Sequence, residues 1–243
     1  MALVWLHLRA ALTEILRTPA FLVPTALFPT MLFSFFGLPQ VETPEAAVFL
    51  MTSFAVFGVM GVCFYQFGVG IAEERASPWE AYLRTLPVSP GQRLLVRLLA
   101  AMAVGAATVL LLCLTAGLAT PARLGPARWL RLLVALVLGG VPFALFGIAL
   151  GYRLPVKAAV PIANLIHLPL SFLGGLWVPP DQLPGPVAAI SPYLPSRLAG
   201  ELGWAAALGQ PWPPAVLGGL AGYTLVAWAA CVWAYRRNEH AYG

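Results

Sequence analysis

The sequence contains few charged residues. Asp, Glu, Lys and Arg make up 9% of its 243 residues, whereas hydrophobic residues make up 60%. A soluble domain typically has about 25% charged and about 45–50% apolar residues, so this composition excludes an ordinary soluble protein and indicates a membrane protein. The basic residues behind the net charge of +5 lie beside apolar runs, which favours a role in membrane orientation over nucleic-acid binding.

The sequence also lacks the motifs of the common enzyme and nucleotide sites. It has no Walker A loop, no HExxH and no GxSxG, which are the patterns expected for phosphate binding, zinc-dependent proteolysis and a nucleophilic serine. Its three cysteines, Cys63, Cys113 and Cys231, each lie inside an apolar run without metal-ligand spacing. The sequence therefore predicts no catalytic residue, no metal site and no cofactor bound by this chain, and any energy source must come from another protein.

Long apolar runs dominate what is present. A membrane-crossing helix requires about 20 mostly apolar residues, and six segments qualify. They cover residues 20–38, 47–72, 94–119, 129–150, 158–178 and 213–235. The sequence predicts an all-α integral membrane protein with a single transmembrane domain, residues 1–243, and six transmembrane helices.

Two further segments have a distinct pattern. Residues 1–18 place apolar and polar side chains on opposite faces of a helix, which predicts an N-terminal helix lying in the membrane interface; the alternative is the end of the first span. Residues 179–211 are apolar but interrupted by prolines, which predicts short re-entrant helices between spans five and six. The alternative for this second segment is a plain external loop.

The distribution of basic residues predicts the orientation. One set of loops, with the adjacent helix ends, holds Arg9, Arg17, Arg75, Arg84, Arg93, Arg97, Arg153, Lys157, Arg236 and Arg237, and the opposite set holds Arg123, Arg128, Arg131 and Arg197. Because Lys and Arg accumulate on the cytoplasmic side, both termini and residues 73–93 are predicted to be cytoplasmic. The expected location is the inner (plasma) membrane.

Charged and aromatic residues gather in "EERASPWEAYLRTLPVSP", residues 73–90. Apolar residues recur there at the spacing of one helix face: Trp79, Tyr82, Leu83 and Leu86. Ser77 and Pro78 suit a helix start, and Pro87 ends the pattern. The sequence predicts a short amphipathic helix that requires a partner surface, because about nine residues are marginal alone. The alternative is a solvated loop.

Three stretches carry a resemblance to a known family. They are "ILRTPAFLVPTALFP" (15–29), "EERASPWEAYLRTLPVSPGQRLLVRLL" (73–99) and "SFLGGLWVPPDQLPGPVAAISPYLPSRLAGEL" (171–202). Together they resemble the membrane subunit of ATP-binding-cassette type-2 exporters, especially the drug-efflux-like branch. This chain departs from many relatives in having Ser77-Pro78 where glycine precedes the tryptophan, and Leu86-Pro87 where Thr-Pro is common.

The resemblance implies a permease subunit of an ATP-driven exporter. Two copies of a separate ABC ATPase would bind ATP and Mg, and a second permease, identical or related, would complete the complex. Membrane lipid is an expected partner, and nucleic acid is not. Residues 73–90 would form the coupling helix that contacts the ATPase. The implied coupling residues are Glu73, Glu74, Arg75, Trp79, Glu80, Tyr82, Leu83, Arg84 and Pro87.

A few polar residues lie within the apolar runs. Asn164, His167 and Ser171 share one face of span five, and Tyr65 and Gln66 lie in span two. Polar groups inside a membrane are often functional, so these are candidates for the substrate path or a dimer contact; ordinary packing is the alternative. Such a sparsely polar path favours an amphiphilic substrate, either a drug-like compound or a lipid.

Two other functions are compatible with the pattern. An intramembrane enzyme would use His167 as a base, and a non-transporting membrane scaffold or immunity protein would need no substrate path. Separately, Gly147/Gly151 and Gly218/Gly222 have GxxxG spacing, which permits close approach of helices. Packing within the subunit is the expected use of both pairs, and a contact at the dimer seam is the alternative.

Overall fold

The computed structural model describes residues 8–10, 12–13, 16–17, 19–77 and 90–239. All regular structure among these residues is helical, which confirms the all-α prediction. The α-helices are α1 (Pro19–Leu32), α2 (Pro44–Val62), α3 (Gly70–Ala76), α4 (Pro90–Ala119), α5 (Pro126–Arg153), α6 (Val156–Leu173), α7 (Gly185–Ile190), α8 (Pro195–Leu208) and α9 (Pro214–Glu239). Two segments are π-helical, Phe33–Gly37 and Cys63–Val69, and three are 3₁₀ turns, Leu38–Gln40, Pro180–Gln182 and Ser191–Tyr193.

Five helices in the described part of the chain are long and apolar enough to cross a bilayer. They are Pro44–Ala76, Leu95–Ala119, Pro126–Arg153, Val156–Leu173 and Pro214–Arg237. The six-span layout is not confirmed. The first predicted span, 20–38, coincides with α1 and the π-helical segment after it, which are not among the five. Most of the predicted interfacial helix, residues 1–18, lies outside the described residues.

The fifth predicted span ends earlier than the apolar run suggests. Helix α6 stops at Leu173 because Gly174 caps it and Gly175 adopts a φ of +77°. The amide of Leu176 then donates to the Ser171 carbonyl at 3.1 Å, which satisfies one of the carbonyls left free at a helix end. The chain therefore turns out of the helix before residue 178.

The core is built around α2, the π-helical segment after it and α3, which form one continuous helix. Thr43 begins this helix by accepting a hydrogen bond from the Ala46 amide at 3.1 Å. In its most apolar 18-residue stretch 89% of the residues are buried, whereas in the corresponding stretch of Pro214–Arg237 17% are buried. A helix that is apolar on all sides suits the centre of a bundle, and Phe54, Phe57 and Phe64 are accordingly inaccessible to solvent.

Helix α5 packs closely on the π-helical segment Cys63–Val69, and glycines allow the two helices to approach each other. A methyl group added at Gly147 would lie 2.7 Å from the Cys63 carbonyl oxygen, and one at Gly151 would lie 2.7 Å from the Phe67 carbonyl oxygen. The predicted packing within the subunit is confirmed for this pair. It is wrong for Gly218 and Gly222: both lie on an exposed face of α9 with no atom within 4 Å of the added group.

Residues 179–211 contain α7, α8 and two 3₁₀ turns. Helix α8 packs against α2, because the Trp204 indole donates to the Ser53 hydroxyl at 2.8 Å and stacks on Phe49 with ring centroids 4.6 Å apart. It also packs against α5, where a methyl group at Gly139 would lie 3.2 Å from the Ala199 side chain. This proline-rich segment is therefore part of the helical bundle.

Candidate functional site

The first candidate site is the far end of the long helix, where the charged segment begins. Glu73, Glu74 and Arg75 lie on α3, so they continue the second span and do not start a separate helix. The remaining predicted coupling residues lie outside the described part of the chain: Trp79, Glu80, Tyr82, Leu83, Arg84 and Pro87.

An arginine of α4 connects that helix to α3 and to the π-helical segment Cys63–Val69. Arg97 forms an ion pair with Glu74 and also donates to the Gln66 carbonyl at 3.2 Å. The Arg97 side chain is 13% exposed and that of Glu74 is 62% exposed. Because the pair reaches solvent, its contribution to stability is small, at most about 1 kcal/mol. The pair matters for the arrangement of the helices, since it is a contact between α3 and α4.

A second arginine connects α3 to α5. Arg75 donates to the Gly151 carbonyl at 2.8 Å, and its guanidinium carbon lies 5.9 Å from the centre of the Tyr152 ring. Gly151 is in the last turn of α5, where carbonyls lack partners within the helix and a cation is favourable. Tyr152 in turn contacts Tyr235 of α9 edge to face, with centroids 5.3 Å apart. The end of α3 is thus connected directly to α4 and α5, and through Tyr152 of α5 to α9.

The second candidate site is a polar pair between the π-helical segment Cys63–Val69 and α6. The Tyr65 hydroxyl donates to the Asn164 side-chain oxygen, and both residues are half-buried. A π-helical turn inserts an extra residue and changes the direction of the side chains that follow. Beside Tyr65, the side-chain nitrogen of Gln66 is buried and has no hydrogen-bond partner among the residues that the structure describes.

His167 and Ser171 lie deeper than this pair. His167 is 2% exposed, its ring stacks on Phe57 with centroids 4.4 Å apart, and its Nε2 lies 3.1 Å from the Phe57 carbonyl oxygen. Because a carbonyl can only accept, Nε2 donates, and Nδ1 is buried without a partner in the described part of the chain. The Ser171 hydroxyl donates to the His167 carbonyl at 2.7 Å. In the subunit, therefore, His167 contacts an aromatic ring and the backbone.

The sequence did not predict which of these residues meet. Asn164, His167 and Ser171 share a helix face, yet Asn164 contacts Tyr65 at the edge while His167 and Ser171 are enclosed. The sequence identifies Arg97 only as one of the basic residues that predict the orientation. Its place at the start of the third span, beside an acidic segment, is the signal that could have identified its ion pair. Within the described ranges, no three metal-ligating side chains lie together.

The helices and these two sites define a multi-pass helical membrane protein with a charged helix end on one side. Residues 11–234 match the family described as ABC-2 family transporter protein. The chain belongs to this family, and the resemblance to an ABC type-2 permease is confirmed. Membership makes it a transporter permease and is consistent with the prediction that the chain is not itself an enzyme.

A relative in Bacillus subtilis (strain 168) is named "Putative transport permease YvfS". It is 25% identical to this chain over 200 residues, which cover 80% of this chain and 81% of the relative. The similarity therefore extends over most of both proteins.

Proposed function

We propose that the chain is the permease subunit of an ATP-driven exporter that works with separate ATPase subunits. Family membership supports a transporter, and since these 243 residues contain no nucleotide-binding loop, the proposal assigns ATP binding to a separate subunit. Two ATPase copies and a second permease, identical or related, complete the proposed complex. Within it, Pro19–Leu32 (α1) and the π-helical segment Phe33–Gly37 would form the first of six spans, and both termini would be cytoplasmic.

The observation that carries this proposal is the way the end of α3 is held. Residues 73–90, the proposed ATPase contact, begin on α3. Arg97 joins α3 to α4, and Arg75 joins it to α5. A displacement of this segment by the ATPase would therefore move α3 together with two membrane helices. Movement of contiguous packed elements is the way coupling between distant sites is carried.

The substrate path is proposed to run beside Tyr65 and Asn164. A buried polar atom without a partner costs about 1–3 kcal/mol, and both the Gln66 amide nitrogen and His167 Nδ1 have this property. Such groups call for an explanation, and a partner supplied in another state of the transport cycle, by substrate or by a second permease, is the one proposed. The largely apolar surroundings suit an amphiphilic drug-like compound or a lipid.

The test is co-purification of the tagged chain with a cognate ABC ATPase, followed by measurement of ATP hydrolysis and of substrate transport into vesicles. The test variant is Glu74→Ala/Trp79→Ala/Arg84→Ala. We expect the ATPase to co-purify with the unmodified chain and to be lost from the variant.

A matched control removes the same three kinds of side chain elsewhere. Asp181, Trp228 and Arg123 are exposed and lie outside residues 73–90, so Asp181→Ala/Trp228→Ala/Arg123→Ala should retain the ATPase. Equal loss of the ATPase from both variants would refute the assignment of residues 73–90 as the ATPase contact. Retention of the ATPase with no transport under any condition would favour the scaffold alternative, and transport driven by an ion gradient without any ATPase would refute the proposal.

A further inference from the structure

Two arginines from different helices lie around one tryptophan at the ends of α5 and α9. The guanidinium carbon of Arg153 is 5.1 Å from the centre of the Trp233 ring, and that of Arg237 is 5.7 Å from it. Arg153 ends α5, and Arg237 lies in the last turn of α9. Both distances are within the range of cation–π attraction. We call these three residues the Trp233 cluster.

The Trp233 cluster carries two positive charges and has no acidic partner among the described residues. Within the part of the chain that the structure describes, the ion pairs join Arg97 to Glu74 and Arg197 to Glu201, and neither Arg153 nor Arg237 participates in one. A helix C-terminus supplies a partial negative charge of about half an elementary charge, which is less than each arginine carries. The two cations therefore flank one ring and are incompletely neutralised by the described residues, an arrangement that an anion would stabilise.

The surface beside the cluster is apolar and exposed. Trp233 is 53% exposed and Val226 is 68% exposed. Val226 and Ala229 lie seven and four residues before Trp233, on the same face of α9, and both are exposed. Tryptophan is enriched at the boundary between hydrocarbon and headgroups. A ligand bound at this cluster would thus contact two cationic side chains at one end and an apolar helix face along the rest of its length.

We propose that the Trp233 cluster binds the phosphate headgroup of an anionic phospholipid, whose acyl chain lies along the exposed face of α9. Arginine suits phosphate because its planar donors form paired, charge-assisted hydrogen bonds. The apolar face argues for a lipid over free phosphate, which would gain nothing from it. The proposal requires only that the chain spans a bilayer, so it stands or fails independently of the ATPase coupling proposed above.

The test uses the full-length chain purified in detergent and exposed to equal amounts of phosphatidylglycerol and phosphatidylcholine with the same acyl chains. Native mass spectrometry gives the ratio of the two bound lipids. We expect a preference for phosphatidylglycerol that falls about 30-fold in Arg153→Gln/Arg237→Gln, since each basic residue at an anionic surface contributes about fivefold. Arg237→Lys, which keeps the charge and loses the planar fork, should retain part of the preference.

The control is Arg123→Gln/Arg128→Gln, which removes the same charge from exposed positions at the opposite ends of the helices. It should keep the preference for phosphatidylglycerol. Equal loss in both double variants, or no loss in either, would overturn the proposal. Displacement of the lipid by inorganic phosphate would show a site for a soluble anion and would also overturn it. If the double variant does not elute as a folded protein, the Arg237→Lys result decides: an unchanged lipid ratio would contradict the proposed phosphate fork.

Discussion

The two GxxxG pairs of this chain provide a sharp test of the structure, because their spacing is the same and their surroundings are opposite. We predict that Gly151→Ala destabilises the protein, whereas Gly222→Ala leaves its stability unchanged or raises it slightly. At Gly151 an added methyl group would lie 2.7 Å from the side chain of Ile71, 2.7 Å from the Phe67 carbonyl oxygen and 2.8 Å from the Gly68 carbonyl oxygen. At Gly222 nothing lies within 4 Å.

The magnitude follows from two opposing effects. Replacing glycine by alanine inside a helix favours folding by about 1 kcal/mol. Overpacking in a well-packed core costs about 1–3 kcal/mol, and the upper end applies at Gly151 because two of the three contacts are backbone atoms, which cannot rotate away. The net loss of stability at Gly151 is therefore about 2 kcal/mol. At Gly222 only the favourable effect of about 1 kcal/mol operates.

The assay is the thermal midpoint of the detergent-purified chain, measured as the temperature at which half of the monodisperse chromatography peak is lost. For a chain of this size 1 kcal/mol corresponds to about 2–4 °C, so Gly151→Ala should lower the midpoint by about 4–8 °C and Gly222→Ala should raise it by at most about 4 °C. The Arg75 hydrogen bond to the Gly151 carbonyl should weaken in the first variant as α5 moves away. Equal shifts in the two variants would refute the proposed packing of α5 on the π-helical segment.

Three further predictions use other contacts. Trp204→Phe should lower the thermal midpoint by about 2–4 °C, because it removes the hydrogen bond to Ser53, which is worth about 1 kcal/mol; an unchanged midpoint would contradict that contact. Tyr65→Phe and Asn164→Leu should each lower vesicle transport, and the double variant should be no worse than either single one, since both remove the same hydrogen bond; fully additive losses would show two independent roles. Glu74→Gln should shift the midpoint by less than about 4 °C, because this ion pair reaches solvent through Glu74 and contributes at most about 1 kcal/mol. It should nevertheless at least halve transport, and full activity would show that the ion pair is not needed for coupling.

Some of the candidate site could be predicted from local pattern. Residues 73–90 stand out because charge is rare elsewhere in the chain, and His167 and Asn164 stand out because polar groups are rare in apolar runs. The environments of these residues could not be predicted. Tyr65 and Asn164 are 99 positions apart, and their contact depends on how two helices are rotated about their axes, which residue spacing does not specify.

By itself, the sequence determined that this protein is a bundle of membrane-crossing helices. Apolar runs of this length must form helices, because only internal hydrogen bonding satisfies the backbone in hydrocarbon. The tertiary structure alone decided which helix lies at the centre, which GxxxG pair is packed and which arginines join α3 to α4 and α5. Between apolar helices, association depends on shape and on a few hydrogen bonds rather than on hydrophobicity. Gly151 and Gly222, identical in their sequence spacing, therefore occupy opposite environments.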